Sequence, residues 1–247
     1  MRLVFAIILS AVIVAPALAT EEEGFEPIFD GKTFAGWKTF DPAYWSIKDG
    51  AIVGTISKER PLKENRYLIW KGNEKAPDGE LADFELKLKS RVRGEGAINN
   101  GFQFRSKLLK NRWDVAGYQV DNNLNVGGGS PWLVRLYDEH GRDTLALRGE
   151  RTTFDENGKA TKEPIKEATG EPWFKLEEWH EYHLICVGNR ITLKVDDRVA
   201  AEVIDNDPKQ FDAQGILGLQ LHSGPPTVVQ FKDIRVKILK AAEVQKQ

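Results

Sequence analysis

From Ala82 to Val92 the chain alternates without a break: Phe84, Leu86 and Leu88 point one way, Glu85, Lys87 and Lys89 the other. A period of two with one apolar side describes a β-strand that buries one face and solvates the other. Such a strand needs partners, and the rest of the chain supplies them. Trp45-Ser46-Ile47 and Ala51-Ile52-Val53 flank the turn signal Lys48-Asp49-Gly50, Trp179 to Val187 and Arg190 to Val195 flank Gly188-Asn189, and Gly215 to His222 is joined to Val228 to Leu239 through Ser223-Gly224-Pro225-Pro226. Hardly any stretch has a helical period. Many short strands divided by turns predict an all-β chain, a two-sheet antiparallel jelly-roll sandwich of the concanavalin A-like kind.

Three strand segments share one grammar: Gly101-Phe102-Gln103-Phe104-Arg105, Gly117-Tyr118-Gln119-Val120-Asp121 and Gly218-Leu219-Gln220-Leu221-His222. Alternation puts the bulky residues of each on one side and Gly, Gln and a charged or titratable residue on the other. Glycine inside a strand weakens packing unless something approaches the backbone, and an amide both donates and accepts. Together they predict a concave polar face fit to hold a ligand, with Gln103, Gln119 and Gln220 as hydroxyl contacts. Trp113, Trp132 and Tyr137 fall in loops beside these strands, where they stack on a sugar ring or shield the pocket.

The N-terminus carries an address. Met1-Arg2, an apolar run from Leu3 to Val14 and Ala15-Pro16-Ala17-Leu18-Ala19 form a secretory signal peptide over residues 1–19, leaving 20–247 as one domain. No later apolar run is long enough to span a bilayer, so the expected place is periplasmic or extracellular. The single cysteine, Cys186, forbids an internal disulfide and lies in Leu184-Ile185-Cys186-Val187, a core setting. A formal charge of −2 with both signs scattered excludes a nucleic-acid stripe. Thr153 to Gly170, rich in Lys, Glu, Gly and Thr, reads as a long loop.

Taken in order, Phe29-Asp30-Gly31-Lys32 with Gly36-Trp37, Trp45 with Asp49-Gly50, Asp83-Phe84-Glu85-Leu86, Asn100 to Arg105, Gly117 to Val120, the Trp179 to Ile191 strand pair, and Gly218 to His222 ending in Phe231-Lys232-Asp233-Ile234 resemble the 3-keto-disaccharide hydrolase domain family. The resemblance covers almost the whole chain after residue 19. It implies a laminin-G-like jelly roll facing a carbohydrate, and exported cleavage of glycosides already oxidised at C3 of the sugar. Gln119 stands where many members carry Glu, and His180 and Asp196-Asp197 also depart from the commoner pattern.

A 3-keto group acidifies the C2 proton, so a base can remove it while the C1 oxygen leaves. His222 is the expected base, since imidazole titrates near neutrality. Arg105 is expected to hold the enolate or a hydroxyl, and Asp121 to orient His222, act as acid or ligate a cation. No cofactor is required by this chemistry, although a divalent cation on Asp121 and His222 is compatible with it. Asp138-Glu139-His140 reads as a charged turn whose neighbouring side chains diverge. The competing readings are a non-catalytic, lectin-like carbohydrate-binding module and an envelope interaction domain, because fold does not fix function.

Overall fold

The computed structural model describes residues 22–96, 98–109, 114–123 and 133–240. Eighteen strands, numbered in chain order, run through the described residues and form two sheets. The larger has the order β13 (Ala160–Pro164), β12 (Glu150–Phe154), β16 (Arg198–Asp205), β15 (Arg190–Val195), β14 (His180–Val187), β7 (Phe84–Gly94), β18 (Thr227–Ile238), β4 (Ala51–Ile56) and β3 (Trp45–Lys48), with β1 (Glu26–Pro27) also on β18. The smaller has the order β11 (Asp143–Leu147), β10 (Arg135–Glu139), β9 (Val115–Asn123), β8 (Asn99–Leu108), β17 (Gly215–Leu221), β5 (Arg66–Trp70) and β2 (Trp37–Lys38), with β6 (Glu80–Leu81) also on β17. Neighbours are antiparallel apart from β12 and β16, which run parallel. Helix among the described residues is limited to short 3-10 turns such as Pro42–Tyr44.

The sheets face each other across one apolar layer. Phe84, Leu86, Leu88, Leu184, Leu193 and Phe231 from the larger sheet meet Phe102, Phe104, Tyr118, Val120, Leu219 and Leu221 from the smaller, all fully or almost fully buried. The alternation read at Phe84 to Lys89 therefore has the expected sense, with the lysines on the outer face. Cys186 belongs to this layer, and burial pushes its thiol up to about 12, which leaves it an inert core residue.

Local chemistry accounts for the first motif. Asp30 Oδ1 accepts from the backbone N–H of Lys32 at 2.8 Å and of Thr33 at 2.7 Å, and Oδ2 accepts from Thr33 Oγ1. Gly31 holds the φ of +74° that this turn requires. These bonds favour the carboxylate and bring its pKa down to about 2.

A hydrogen-bonded cluster joins the two sheets. Tyr118 Oη on β9 donates to Asp205 Oδ2 on β16 at 2.5 Å, and Arg142, in the turn after β10, donates to both Asp205 oxygens. Glu22 meets Lys87 and Arg235 on the outer face of the larger sheet, where Phe25 lies beneath both cations. The stretch Thr153 to Gly170 departs from the expected loop: β12 and β13 make a hairpin closed by Asp155 Oδ1, which accepts from Asn157 N and Lys159 N at 2.9 Å each. Every residue of β13 is exposed, so no alternation marks it in the sequence. No helix among the described residues is long and apolar enough to cross a membrane.

Candidate functional site

The three Gly-x-Gln strands are neighbours. Antiparallel pairing sets Arg135, Asp121, Gly101, Gln220 and Tyr67 in one row across β10, β9, β8, β17 and β5. Tyr137, Gln119, Gln103, Gly218 and Ile69 form the next row. Both rows lie on the face turned away from the core, because Phe102, Val120 and Leu219 between them point inward. Gln103, Gln119 and Gln220 are nonetheless buried. Farther along, Tyr67, Ile69, Val115 and Ile216 pack together with Leu108, so one half of the face is polar and the other apolar.

The polar half is incompletely satisfied. Gln103 Oε1 accepts from Ser106 Oγ at 2.9 Å and Gln220 Nε2 donates to Tyr67 Oη at 3.3 Å. Gln103 Nε2, Gln119 Nε2 and Gln220 Oε1 are buried with no hydrogen-bond partner. A buried amide atom without a partner costs about 1–3 kcal/mol, so three on one face leave hydrogen-bonding capacity unused there.

The glycines serve a different end from the one their sequence suggests. A Cβ on Gly101 would lie 2.3 Å from the backbone carbonyl Val120 O and 3.0 Å from Gln119 Nε2, and one on Gly218 would lie 2.8 Å from Ile69 Cδ1. The space beside them is filled by backbone and side-chain atoms of neighbouring strands of the same sheet.

Asp121 lies on this face as expected. Its Oδ2 accepts from Arg135 Nε at 2.6 Å, and Asn99 donates a further hydrogen bond. Burial raises its pKa, against the opposing pull of Arg135. Arg135 also donates to Thr144 Oγ1 and stacks 4.5 Å over the Tyr137 ring. Tyr137 belongs to β10 rather than to a loop, and its hydroxyl donates to Asp143. Trp113 and Trp132 lie outside the described residues.

Arg105 is not on this face. A bulge on β8 sets the four residues after Phe102 against fewer on each neighbouring strand, and Arg105 takes a left-handed φ of +45°. The extra residue reverses the alternation. Ser106 occupies the polar side, and Arg105 turns to the edge between the sheets, donating to Ala82 O at 2.8 Å and Gly188 O at 2.8 Å and pairing with Asp83 at 3.2 Å. Its guanidinium is a buried structural cation, so the expected substrate contact is replaced by a lock on the backbone.

The same parity continues from Tyr137 to Glu139 and from Gln220 to His222. Both reach a cleft of about 340 Å³ lined by Glu64, Asn65, Asp114, Glu139, His140, His222 and Ser223. His222 Nδ1 donates to Ser223 O at 2.6 Å, and Asn65 Oδ1 accepts from Ser223 N at 2.9 Å. With Nδ1 holding the proton, Nε2 is the basic nitrogen. No carboxylate among the described residues hydrogen-bonds His222.

Glu139 is the residue that adjacency obscured. Asp138 diverges as expected, toward Arg142, but Glu139 and His140 both line the cleft. Burial pushes the Glu139 carboxyl up to about 7, helped by Asp114 and Asp121 and opposed by His140 and Arg135. Its strand position, two residues past Tyr137, was the available signal. Among the described residues no group of three or more His, Cys, Asp or Glu side chains is placed to hold a metal ion.

The architecture defines a class by its fold: a two-sheet jelly-roll sandwich. It is similar to a Bacillus subtilis protein with a galectin-like fold (TM-score 0.56, 10% identity, 86% of this chain and 94% of the other). It is also similar to a provisionally assigned glycosyl hydrolase from Parabacteroides distasonis (TM-score 0.55, 19% identity, 90% and 99%).

Within that class the chain belongs to the 3-keto-alpha-glucoside-1,2-lyase-like family, whose model matches residues 24–237. A 3-keto-disaccharide hydrolase from Bacteroides thetaiotaomicron is 24% identical to it over 90% of this chain and 81% of the relative. The family read from the ordered sequence motifs is the one found.

Proposed function

We propose that this protein is an exported enzyme that cleaves 3-keto-glycosides by removing the C2 proton and expelling the C1 oxygen. The observation that carries the reading is the meeting in one cleft of His222, with Nε2 as its basic nitrogen, and Glu139, a carboxyl pushed up to about 7. One group takes a proton and the other gives one at the same pH. Family membership and the hydrolase relative support this substrate class. Export rests on the Met1 to Ala19 pattern.

In the first step His222 Nε2 takes the C2 proton and the electrons move into an enolate on the 3-keto oxygen. In the second the enolate collapses to a C1=C2 double bond, the C1–O bond breaks, and the departing oxygen takes the proton of Glu139. Water adding later across that double bond gives the free keto sugar. The unpartnered Nε2 atoms of Gln103 and Gln119 are donors for sugar oxygens, and Gln220 Oε1 accepts from a hydroxyl. Asp121, bound to Arg135, keeps that guanidinium in the row beside Gln119 rather than acting as a second nucleophile.

The test compares 3-keto-glucosides with the same unoxidised glucosides, using wild type and His222→Ala, in D2O. Cleavage confined to keto substrates, deuterium entering C2, and a loss of about 10²–10⁴-fold in the variant are expected. Sugar binding without cleavage by wild type would instead identify a lectin-like module, which the unpartnered glutamine amides also suit.

A further inference from the structure

Each elimination takes one proton from Glu139 and leaves one on His222, so both must be reset before the next turnover. The Glu139 backbone pairs with Gly117, whereas its carboxyl hydrogen-bonds no side chain among the described residues and is mostly withdrawn from solvent. Its exchange with water has to run through the cleft. The next residue in the chain, His140, lines the same cleft and has a half-exposed ring, with 49% of its side chain accessible.

His140 is held with some care. Its backbone takes a left-handed φ of +58°, a conformation uncommon outside glycine, which turns the side chain back from the end of β10. Asp114, at the end of the β8–β9 connection, binds His140 Nε2 through Oδ2 at 2.6 Å. A carboxylate on one ring nitrogen fixes the tautomer and leaves Nδ1 as the nitrogen that exchanges protons. The groups around Glu139 are Asp114, Asp121, Arg135 and His140, with the hydroxyls of Tyr67 and Tyr137 also sensing its charge. His140 is the member of this set that carries an imidazole and stands half in solvent.

We propose that the Asp114–His140 pair is a proton relay that recharges Glu139 between turnovers, an inference that rests on the elimination reading above. Imidazolium Nδ1–H gives its proton, through water in the cleft, to the Glu139 carboxylate. Neutral His140 then takes a proton from solvent or a buffer acid at its exposed edge, while Nε2–H stays on Asp114 Oδ2. Only N–H and O–H bonds change. One proton enters at Glu139 for each that leaves His222, so the cycle closes.

A relay differs from an ion pair that merely fastens the β8–β9 connection to the turn after β10, because a small diffusing acid can replace a relay. The experiment measures kcat and KM of wild type, His140→Gln and Asp114→Asn on a 3-keto-glucoside at pH 7, in dilute buffer and with added imidazole. In dilute buffer kcat of His140→Gln is expected to fall about tenfold or more with KM unchanged, and to rise in proportion to imidazole. Wild type should not respond, and Asp114→Asn should fall less. A loss that imidazole does not restore, or no loss at all, overturns the relay.

A second arm needs no turnover: NMR titration of the His140 ring in wild type and in Glu139→Gln. A second inflection in step with Glu139, absent from the variant, is expected, and a single inflection identical in both proteins overturns the coupling. Wild type inert toward keto-glucosides would sink the reaction assignment alone, leaving this arm to decide the link between the two residues.

Discussion

Arg105 Nη1 donates to the carbonyl of Gly188 at 2.8 Å, which ties strand β8 of the smaller sheet to the β14–β15 turn of the larger. With Ala82 O and Asp83 on its other nitrogens, the guanidinium uses its whole fork on the protein itself. Lysine carries the charge but not the fork. Arg105→Lys is therefore expected to cost about 2–4 kcal/mol of stability by denaturant titration, since it strands buried carbonyls, while KM of the folded fraction stays the same. A KM rise with unchanged stability would return Arg105 to the substrate.

The Tyr118–Asp205–Arg142 tie has a graded expectation. Burial alone would raise the Asp205 pKa, but hydrogen bonds from Arg142 and Tyr118 outweigh it and the net shift is downward. Its contribution is thus present above the ordinary carboxylate range and lost as pH falls through the lowered value. Tyr118→Phe should cost about 1 kcal/mol, and Asp205→Asn about 3–5 kcal/mol because it leaves Arg142 without its main partner. Thermal melts at neutral pH check the order, and equal losses for the two variants would contradict it.

For Glu139 the sign is reversed. Its folded pKa, about 7, lies above the ordinary 4.5, so the associated stability is full below 4.5 and lost as pH rises through 7. Glu139→Gln removes that loss. Relative to wild type it should gain about 1 kcal/mol, or roughly 2–4 °C, at pH 8.5 compared with pH 4.5, after allowance for solvent screening. A stability difference that ignores pH would place Glu139 in ordinary solvent. The activity of wild type should decline on the same limb, as the acid loses its proton.

Gln119→Met separates binding from packing. The change keeps length and removes the unpartnered Nε2. Stability is expected to hold or rise by about 1 kcal/mol, while affinity for a 3-keto-glucoside falls about tenfold by calorimetry. Unchanged affinity would mean that the amide meets no sugar oxygen.

Much of this arrangement was legible in the sequence, and the failures have specific causes. Alternation from Phe84 to Lys89 gave the strand sense, and the shared grammar of three strands marked true neighbours. Parity carried Gln103, Gln119, Gln220, Asp121 and His222 to one face, but it broke at Arg105, where a bulge inserts one residue without any glycine to announce it. Strand β13 was invisible because both its faces meet solvent. Glu139 was hidden by its neighbours: Asp138 and His140 made a charged turn of what is, at Glu139, the last residue of a strand. The glycines were legible as close approaches, yet which atom approaches, Val120 O or Ile69 Cδ1, depends on neighbouring strands that the local sequence does not identify.

Glu22 is fastened to Lys87 and Arg235 on the outer face of the larger sheet. The cleft belongs to the opposite broad side of the sandwich. A matrix coupling, reporter fusion or surface display made upstream of Glu22 would consequently hold the molecule by its back, with the mouth of the cleft directed outward toward whatever the medium brings.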